Sequence, residues 1–304
     1  MRKIHRLFKS QRRSEEGDST HVPEPNHILG PDVLYDGTTD PTGGVDIVFV
    51  HGLRGSSHTT WSKGDVCWPR DLLKDDIPES RVITWGYDSS VAKVSTYASV
   101  ESIYGHAGTL LVDLSFLRRD ITRPIVFAAH SLGGLVVKEA LIKAAAYKSH
   151  GRHPDLAEIY PRTQGIVFFG TPHRGSSKEN LGEIVAGISS YCLRQPNKQL
   201  LRTLRTDSHI LESQRDQFIT ISQGIPVVCV REELPTAIGI IVPESSASYD
   251  GFNVQRSSIN ANHMDMVRFS ERGDLGYRRA IGHLFDLTRA LEAPKEDYSI
   301  YKGD

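Results

Sequence analysis

One segment near the middle of the chain constrains the fold more than any other. Residues 123–141 read RPIVFAAHSLGGLVVKEAL, an apolar run, a turn of small residues and a second apolar run with helical spacing. A strand that is apolar at nearly every position is typical of a parallel sheet covered on both faces. The segment therefore predicts a buried strand that passes through a tight turn at Ser131 directly into a helix packed on the sheet.

Strand-sized apolar runs alternate with helix-sized segments along the chain. The predicted strands are Val33–Tyr35, Asp46–Val50, Arg81–Trp85, Pro124–Ala129, Gly165–Phe169, Ile225–Val230 and Ile238–Val242. Between them, apolar residues recur at the three- and four-residue intervals of amphipathic helices, and a further such helix is predicted near the C-terminus. This alternation predicts an α/β fold with a mostly parallel, doubly wound sheet.

The connection from Gly170 to Gly224 is longer than a simple crossover needs. It carries its own apolar stripe, which includes Leu181, Ile184 and Ile188. We therefore predict a helical insertion over about residues 175–223 that lies over one end of the sheet as a lid or substrate wall. A crossover that contains two helices is the alternative interpretation.

The two ends differ in composition from the middle. We expect residues 1–30 to be a disordered basic tail and linker, residues 31–292 the folded α/β domain, and residues 293–304 a short tail. The first 13 residues contain six Lys and Arg, no acid, and apolar residues at helical spacing. That pattern would suit peripheral contact with an anionic membrane, or a mitochondrial transit peptide. A solvated tail is the preferred interpretation, because so short a helix is marginal alone.

Composition argues against several classes of protein. Lys and Arg total 36 and Asp and Glu total 37, so the basic excess of a dedicated nucleic-acid binder is missing. Cys67, Cys192 and Cys229 give neither a disulfide framework nor a paired metal motif. No apolar run approaches the roughly 18–20 residues of a membrane span, and no secretory signal is recognisable. We expect an intracellular, cytoplasmic protein with no nucleic-acid partner, no metal and no organic cofactor.

The turn at Ser131 has the composition of a nucleophile elbow. A serine between a buried strand and a helix projects its hydroxyl out of a strained turn, and small neighbours at Ala129 and Gly133 allow the close approach that this requires. The N–H of Leu132 would lie beside a developing oxyanion. A serine that only caps the helix is the alternative.

The loop after the strand Asp46–Val50 has the position of a second oxyanion donor. Gly52 permits a tight turn, which would aim the N–H of Leu53 at the same point as that of Leu132. We place His51 and Gly52 at the border of the substrate site, with His51 bracing the loop rather than acting as a base. An ordinary glycine-rich loop is the alternative.

The remaining members of a serine triad are expected after the nucleophile, the acid before the histidine. His263 lies between the last predicted strand and the C-terminal helix, and an imidazole can take the serine proton and return it. The strand Ile225–Val230 leads into Glu232 and Glu233, which face opposite ways in an extended segment. We select Glu232 because it lies nearest the strand end, with Glu233 and then Asp250 as alternatives.

Three further side chains are candidates for substrate contact. His173 and Arg174 follow the predicted strand Gly165–Phe169, and Arg54 lies in the glycine-rich loop. At the rim of a site they could bind a polar or phosphate-bearing headgroup. Loop packing with solvated charges is the alternative.

Seven motifs span roughly residues 30–290: DIVFVHGLRG, WPRDLL, RVITWGYD, RPIVFAAHSLGGLVVK, GTPHRGS, EELPT and NHMDMVRF. Together they resemble the α/β-hydrolase superfamily. The closest resemblance is to its lipase-like branch, which contains serine-active-site proteins of phosphatidylglycerol remodelling, GPI inositol deacylases and N-terminal domains of fungal NOD-like and ankyrin-repeat receptors. The resemblance implies a nucleophile at Ser131, an acid at Glu232 and a histidine at His263. Ala129 departs from the commonest elbow.

Residues and resemblance together predict a serine hydrolase of carboxylic esters, lipid-like esters in particular, that works through an acyl-enzyme and serves lipid metabolism. One alternative is a non-catalytic or conditionally active effector module related to the receptor domains. Another is an acyltransferase that uses the same triad. A complete set of Ser131, Glu232 and His263 in the expected order favours catalysis over the effector module.

Overall fold

The computed structural model describes residues 28–38, 40–89, 96–173, 184, 187–188 and 208–289, without the side chains of residues 96–102 and 208–211. The predicted tails therefore lie almost entirely outside the described residues. Among the helices that the structure describes, none is long and apolar enough to cross a membrane.

A seven-stranded sheet forms the centre of the described structure. In chain order its strands are β1 (Gly30–Asp36), β2 (Val45–Val50), β5 (Ser80–Gly86), β6 (Ile125–His130), β7 (Thr163–Phe169), β8 (Val227–Glu232) and β9 (Val254–Ile259). A small separate hairpin is formed by β3 (Ser62–Lys63) and β4 (Val66–Cys67). The sheet order is β1-β5-β2-β6-β7-β8-β9, with β1 antiparallel to β5 and every other pairing parallel. The prediction of a mostly parallel sheet is thus confirmed.

Helices cover both faces of the sheet. They are α1 (Trp68–Asp71), α2 (Leu73–Asp76), α3 (Thr96–Leu117), α4 (Gly133–His150), α5 (Pro154–Ala157), α6 (Ile159–Arg162), α7 (Ser208–Ile221) and α8 (Leu275–Arg289). One apolar layer lies between the sheet and α3, α4 and α7, and a second lies between the sheet and α8. Every residue of β2, β5 and β6 is buried, as expected for strands covered on both faces.

Two strand predictions at the C-terminal end of the sheet need correction. Ile238–Val242 is not a strand; the chain there makes an isolated bridge between Thr236 and Gly239 and then turns. The last strand is instead β9, whose sequence VQRSSI is largely polar. As an edge strand, β9 pairs only with β8, and several of its side chains meet solvent, so it lacks the apolar pattern that identified the central strands.

Part of the predicted insertion covers a face of the sheet. Helix α7 packs against α4, and its Phe218 is fully buried 5.9 Å from the ring of Phe168 on β7. Residues 208–221 thus behave as a crossover helix, and not as a cover over the end of the sheet. Residues 174–183, 185–186 and 189–207 of the insertion lie outside the described residues.

Candidate active site

The turn between β6 and α4 holds Ser131 in a conformation that few residues other than glycine adopt. Its φ is +55°, in the left-handed region. Two hydrogen bonds to the next strand and loop fix the turn: the N–H of Ser131 donates to the carbonyl of Phe169 at 2.8 Å, and the hydroxyl of Thr171 donates to the carbonyl of Ser131 at 3.0 Å. The surroundings therefore hold the strained turn in place and leave the serine hydroxyl pointing away from the helix.

Two glycines make room for this turn. A Cβ built on Gly52 would lie 2.6 Å from the Cβ of Ser131, and one built on Gly133 would lie 2.3 Å from the carbonyl oxygen of His51. Neither position can accept a side chain without a shift of the backbone. The loop after β2 and the first turn of α4 therefore touch beside the hydroxyl of Ser131.

A chain of hydrogen bonds joins three side chains that are distant in sequence. The distance from Ser131 Oγ to His263 Nε2 is 3.0 Å, and the distance from His263 Nδ1 to Glu232 Oε2 is 2.6 Å. All three residues are at most 2% exposed. They come from three different parts of the fold: the end of β6, the end of β8 and the loop after β9.

The second oxygen of Glu232 is also occupied. Its Oε1 accepts hydrogen bonds from the backbone N–H groups of Ile241 (2.5 Å) and Val242 (3.2 Å). These donors fix the carboxylate against His263, and ionised oxygens are the preferred acceptors for such bonds. The segment wrongly predicted as a strand thus uses its backbone to hold a carboxylate, and not to pair in the sheet.

The two alternative acids lie elsewhere. Glu233 faces away from His263 and accepts hydrogen bonds from Ser258 (2.5 Å) and Asn260 (3.0 Å), which lower its pKa. Asp250 pairs with Arg256 at 2.6 Å on the surface. Of the three acids considered, Glu232 is the one that the structure brings to the histidine.

The proposed oxyanion donors lie on the two segments that meet at Gly52. Leu53 follows that glycine, and Leu132 follows Ser131 at the start of α4. Neither amide donates to an acceptor within the part of the chain that the structure describes. A helix N-terminus and a free loop amide beside a serine are suited to bind a developing negative charge.

His51 is built into the loop and does not face the serine as a base. Its ring stacks on Tyr87 at 4.4 Å, and its Nε2 accepts the N–H of Tyr87 at 3.2 Å. The hydroxyl of Tyr87 donates to the carbonyl of His51 at 2.9 Å. These contacts brace the loop that carries Gly52 and Leu53.

Of the three residues predicted to lie at the rim, the structure describes His173 and Arg54. His173 is 1% exposed, and its ring packs against Phe168 and Tyr249, with its Nε2 3.5 Å from the sulfur of Cys229. The prediction that His173 lies at a rim is therefore wrong, because the loop after β7 turns its side chain into the core. Arg54 is exposed, with a φ of +54°. Arg174 lies outside the described residues.

His130, directly before Ser131, was missed as a candidate. Its Nε2 donates to the carbonyl of His263 at 2.9 Å, and the two rings lie 4.9 Å apart. Burial, and then the neighbouring His263, hold the pKa of His130 well below its ordinary value, so it stays neutral and can donate. Its position directly before Ser131 in the sequence could have identified it as a candidate site residue. The backbone N–H groups of Ile241 and Val242 could not be predicted as donors to Glu232, because every residue except proline has such a group.

An apolar cluster adjoins the three polar side chains. It contains Leu53, Leu132, Leu135, Ile184, Ile188, Ile241, Val242 and Ala247. The cluster joins the side chains of both proposed oxyanion residues to the segment that holds Glu232. The surroundings of the three polar side chains are therefore apolar on this side.

The fold is similar to that of a bacterial lipase. The mature form of the lipase BlEst2 from Bacillus licheniformis matches with a TM-score of 0.54 at 18% identity, over 84% of this chain and 96% of that one. Its propeptide form matches with a TM-score of 0.53 at 16% identity, over 86% of this chain and 53% of that one. The molecule therefore has the α/β-hydrolase fold, as the resemblance implied.

The family can be stated more narrowly. The chain belongs to the family described as "Putative serine esterase (DUF676)", whose model matches residues 47–214, more than half of the chain. Protein SERAC1 from Bos taurus is 27% identical over 318 residues, and Protein SERAC1 from Homo sapiens is 28% identical over 274. The chain spans 46% and 40% of the length of these two relatives.

Proposed function

We propose that the protein is a serine hydrolase of carboxylic esters. The observation that carries the proposal is the continuous hydrogen-bonded chain from Ser131 Oγ through His263 to Glu232, with distances of 3.0 and 2.6 Å. Membership of the esterase family and the lipase-like fold support it. The arrangement has the order and contacts that nucleophilic acyl transfer requires.

Each residue has one task in the proposed reaction. Ser131 Oγ attacks the ester carbonyl while His263 Nε2 takes its proton, and Glu232 stabilises the imidazolium that forms. The N–H groups of Leu53 and Leu132 hold the oxyanion. His263 then returns the proton to the leaving alcohol, and water releases the acid from Ser131 by the same steps in reverse order.

The surroundings favour an ester with an apolar acyl group. The apolar cluster lies against both oxyanion residues, so an acyl chain bound there would remove apolar surface from water. Because Ser131 is only 1% exposed, we expect substrate binding to displace side chains of this cluster. A p-nitrophenyl ester series of increasing chain length would test the preference, with a rise in kcat/KM from acetate to octanoate as the expected result.

The decisive experiment is labelling with a fluorophosphonate probe. We expect the wild type to be labelled, and Ser131→Ala and His263→Ala not to be. Ser213→Ala and His150→Ala are matched controls, because both residues lie on helices away from the site. A folded wild type that neither labels nor cleaves any ester would contradict the proposal and favour the effector module.

Two finer points can be tested with the same protein. Transfer of the acyl group to added alcohol, in preference to water, would identify an acyltransferase. Peripheral membrane contact through residues 1–13 predicts that their deletion weakens binding to anionic vesicles at low salt. Unchanged vesicle binding would remove that role from the segment.

A further inference from the structure

The loop after β7 contacts the backbone of the serine turn through Thr171. This residue is fully buried, and its hydroxyl donates a hydrogen bond to the carbonyl oxygen of Ser131 at 3.0 Å. The same carbonyl oxygen also accepts the N–H of Gly134, in the first turn of α4, at 3.1 Å. The helix therefore already provides a partner for this oxygen, and the threonine adds a second one.

The fold makes room for the second bond at Gly134. A Cβ built on Gly134 would lie 2.2 Å from Oγ1 and 2.5 Å from Cγ2 of Thr171. Any larger residue at position 134 would push the hydroxyl away from the carbonyl of Ser131. Glycine is among the least favourable residues inside a helix, and here the position of the threonine side chain requires it.

The carbonyl of Ser131 and the N–H of Leu132 belong to one peptide group. Because a trans peptide group is planar, its N–H points in the direction opposite to its carbonyl. A hydrogen bond that fixes the carbonyl therefore also fixes the direction of the N–H, which is one of the two proposed oxyanion donors. Hydrogen bonds in a chain polarise one another, so a bond to the carbonyl also makes the N–H a stronger donor.

We propose that Thr171 is a positioning residue for the oxyanion site. Its hydroxyl holds the peptide group between Ser131 and Leu132 so that the Leu132 N–H meets the negative charge of the transition state. This inference rests on the proposed function, in which that N–H binds the oxyanion. Thr171 is 0% exposed, so it acts through the peptide group and not by contact with the substrate. Because the oxyanion forms only in the transition state, support of its donor should raise kcat and leave KM nearly unchanged.

The test compares Thr171→Val, which keeps the shape and removes the hydroxyl, with Thr171→Ser, which keeps the hydroxyl. We expect Thr171→Val to lower kcat about tenfold or more and to change KM by less than about twofold, since small displacements at the reacting centre have effects of this size. Thr171→Ser should keep most of the activity. Thr163→Val is the matched control, because Thr163 lies at the other end of β7 and its buried hydroxyl also donates to a carbonyl, that of Ile159 at 2.8 Å.

A thiono ester, with sulfur in place of the carbonyl oxygen, distinguishes a weakened oxyanion site from a misplaced serine. Sulfur is a weak hydrogen-bond acceptor, so cleavage of the thiono ester depends less on the N–H of Leu132. Thr171→Val should therefore lose less activity on the thiono analogue of a p-nitrophenyl ester than on the ester itself. Equal losses on both substrates would overturn the inference, because a displaced nucleophile lowers both rates.

Thermal unfolding of each variant ensures that the activities are compared on folded protein. An active wild type whose kcat survives Thr171→Val would overturn this inference alone. So would an equal loss in Thr171→Ser, because packing of the side chain, and not its hydroxyl, would then be what matters. A wild type that neither reacts with the fluorophosphonate probe nor cleaves any ester would overturn the proposed function, and this inference with it.

Discussion

At Glu232 a single buried carboxylate accepts three hydrogen bonds, from His263 and from the amides of Ile241 and Val242. A glutamine there keeps the size but places an N–H where an acceptor is needed, so it favours the wrong tautomer of His263. We therefore expect Glu232→Gln to reduce kcat by roughly 10³–10⁴-fold. Ester hydrolysis measured beside a thermal unfolding curve would separate this loss from misfolding.

Glu233→Gln is the matched control for that variant. Its side chain bonds Ser258 and Asn260 on the outer side of the sheet edge, so the same substitution should change kcat by less than about twofold. Equal losses at Glu232 and Glu233 would mean that the acid had been assigned wrongly. The difference between neighbours arises because successive side chains of an extended segment face opposite ways.

Gly52 offers a test of the oxyanion site that replaces none of the three residues Ser131, His263 and Glu232. The methyl group of Gly52→Ala would lie 2.6 Å from the Cβ of Ser131 and 2.9 Å from the carbonyl oxygen of His130. The loop and the Ser131 turn must therefore move apart, which separates the N–H of Leu53 from the hydroxyl of Ser131. Loss of one oxyanion donor predicts a fall in kcat of about 10²-fold.

The change in KM after Gly52→Ala should be much smaller, because the donor acts on the transition state. Gly282→Ala on α8 is the control, since no described atom lies within 4 Å of its new methyl group. It should keep full activity. A Gly52→Ala enzyme with normal kcat would show that the oxyanion is held by other groups.

Among the elements, α4 begins two residues after the proposed nucleophile Ser131 and contains a buried lysine in its first half. Lys138 is 1% exposed, and its Nζ lies 5.4–5.6 Å from the rings of Phe168, Phe218 and Tyr249. No carboxylate pairs with it among the described residues. Burial lowers the pKa of Lys138 from 10.5 to about 7, with a smaller contribution from Arg215. The helix thus contains an amine that the fold, by burying it, makes lose its proton near neutral pH.

The sign of the resulting pH dependence follows from proton binding. Between pH 7 and pH 10.5 the unfolded chain holds a proton on Lys138 that the folded chain has lost, so stability rises with pH in that window. From pH 7 to pH 8.5 the free energy of unfolding should rise by roughly 1–2 kcal/mol through this group. Urea unfolding at the two pH values measures it. Higher pH is avoided because the Cys229 thiol, with its pKa raised to about 11 by burial, then acts in the opposite direction.

Lys138→Met removes the charge and keeps the length of the side chain. We expect it to stabilise the protein at pH 7 and to abolish this part of the pH dependence. Lys148→Met on the same helix is the control, because Lys148 is 53% exposed and should leave the slope unchanged. A slope that survives Lys138→Met would mean that another group titrates.

An element can be predicted from the sequence when its own residues show the pattern of that element, and not when its structure depends on contacts with distant residues. The strand–Ser131–helix unit was predictable because its apolar pattern and small residues are local. The edge strand β9 was not, because contact with solvent gives it a polar sequence. The apolar run Ile238–Val242 was misinterpreted because only Ile241 and Val242 are buried, in the apolar cluster, whereas Ile238 and Ile240 are exposed. The amides of Ile241 and Val242 bind Glu232 and do not pair in the sheet.

Across the whole molecule, the two ends of the parallel strands carry different groups of side chains. Ser131 and Glu232 lie at the carboxyl ends of β6 and β8. A buried group of one acid and three arginines lies at the amino ends of the strands. Asp46 is fully buried and accepts hydrogen bonds from Arg81 at 2.9 and 2.7 Å and from Arg118, with Arg123 at 3.8 Å. These residues join the starts of β2 and β5 to the segments before β6, so the group fixes the order of the central strands.

One carboxylate therefore compensates several buried guanidinium groups. Asp46→Asn would keep the shape and remove that compensation, so we expect the free energy of unfolding to fall by about 3–5 kcal/mol. Asp36→Asn is the control: Asp36 is 42% exposed and 3.6 Å from Arg123, and should cost less than about 1 kcal/mol. Urea unfolding compares the variants. The proposed active site lies at the opposite ends of the strands, so the folded fraction of Asp46→Asn should keep its kcat. A loss of kcat that exceeds the loss of folded protein would show that the two ends of the sheet are coupled.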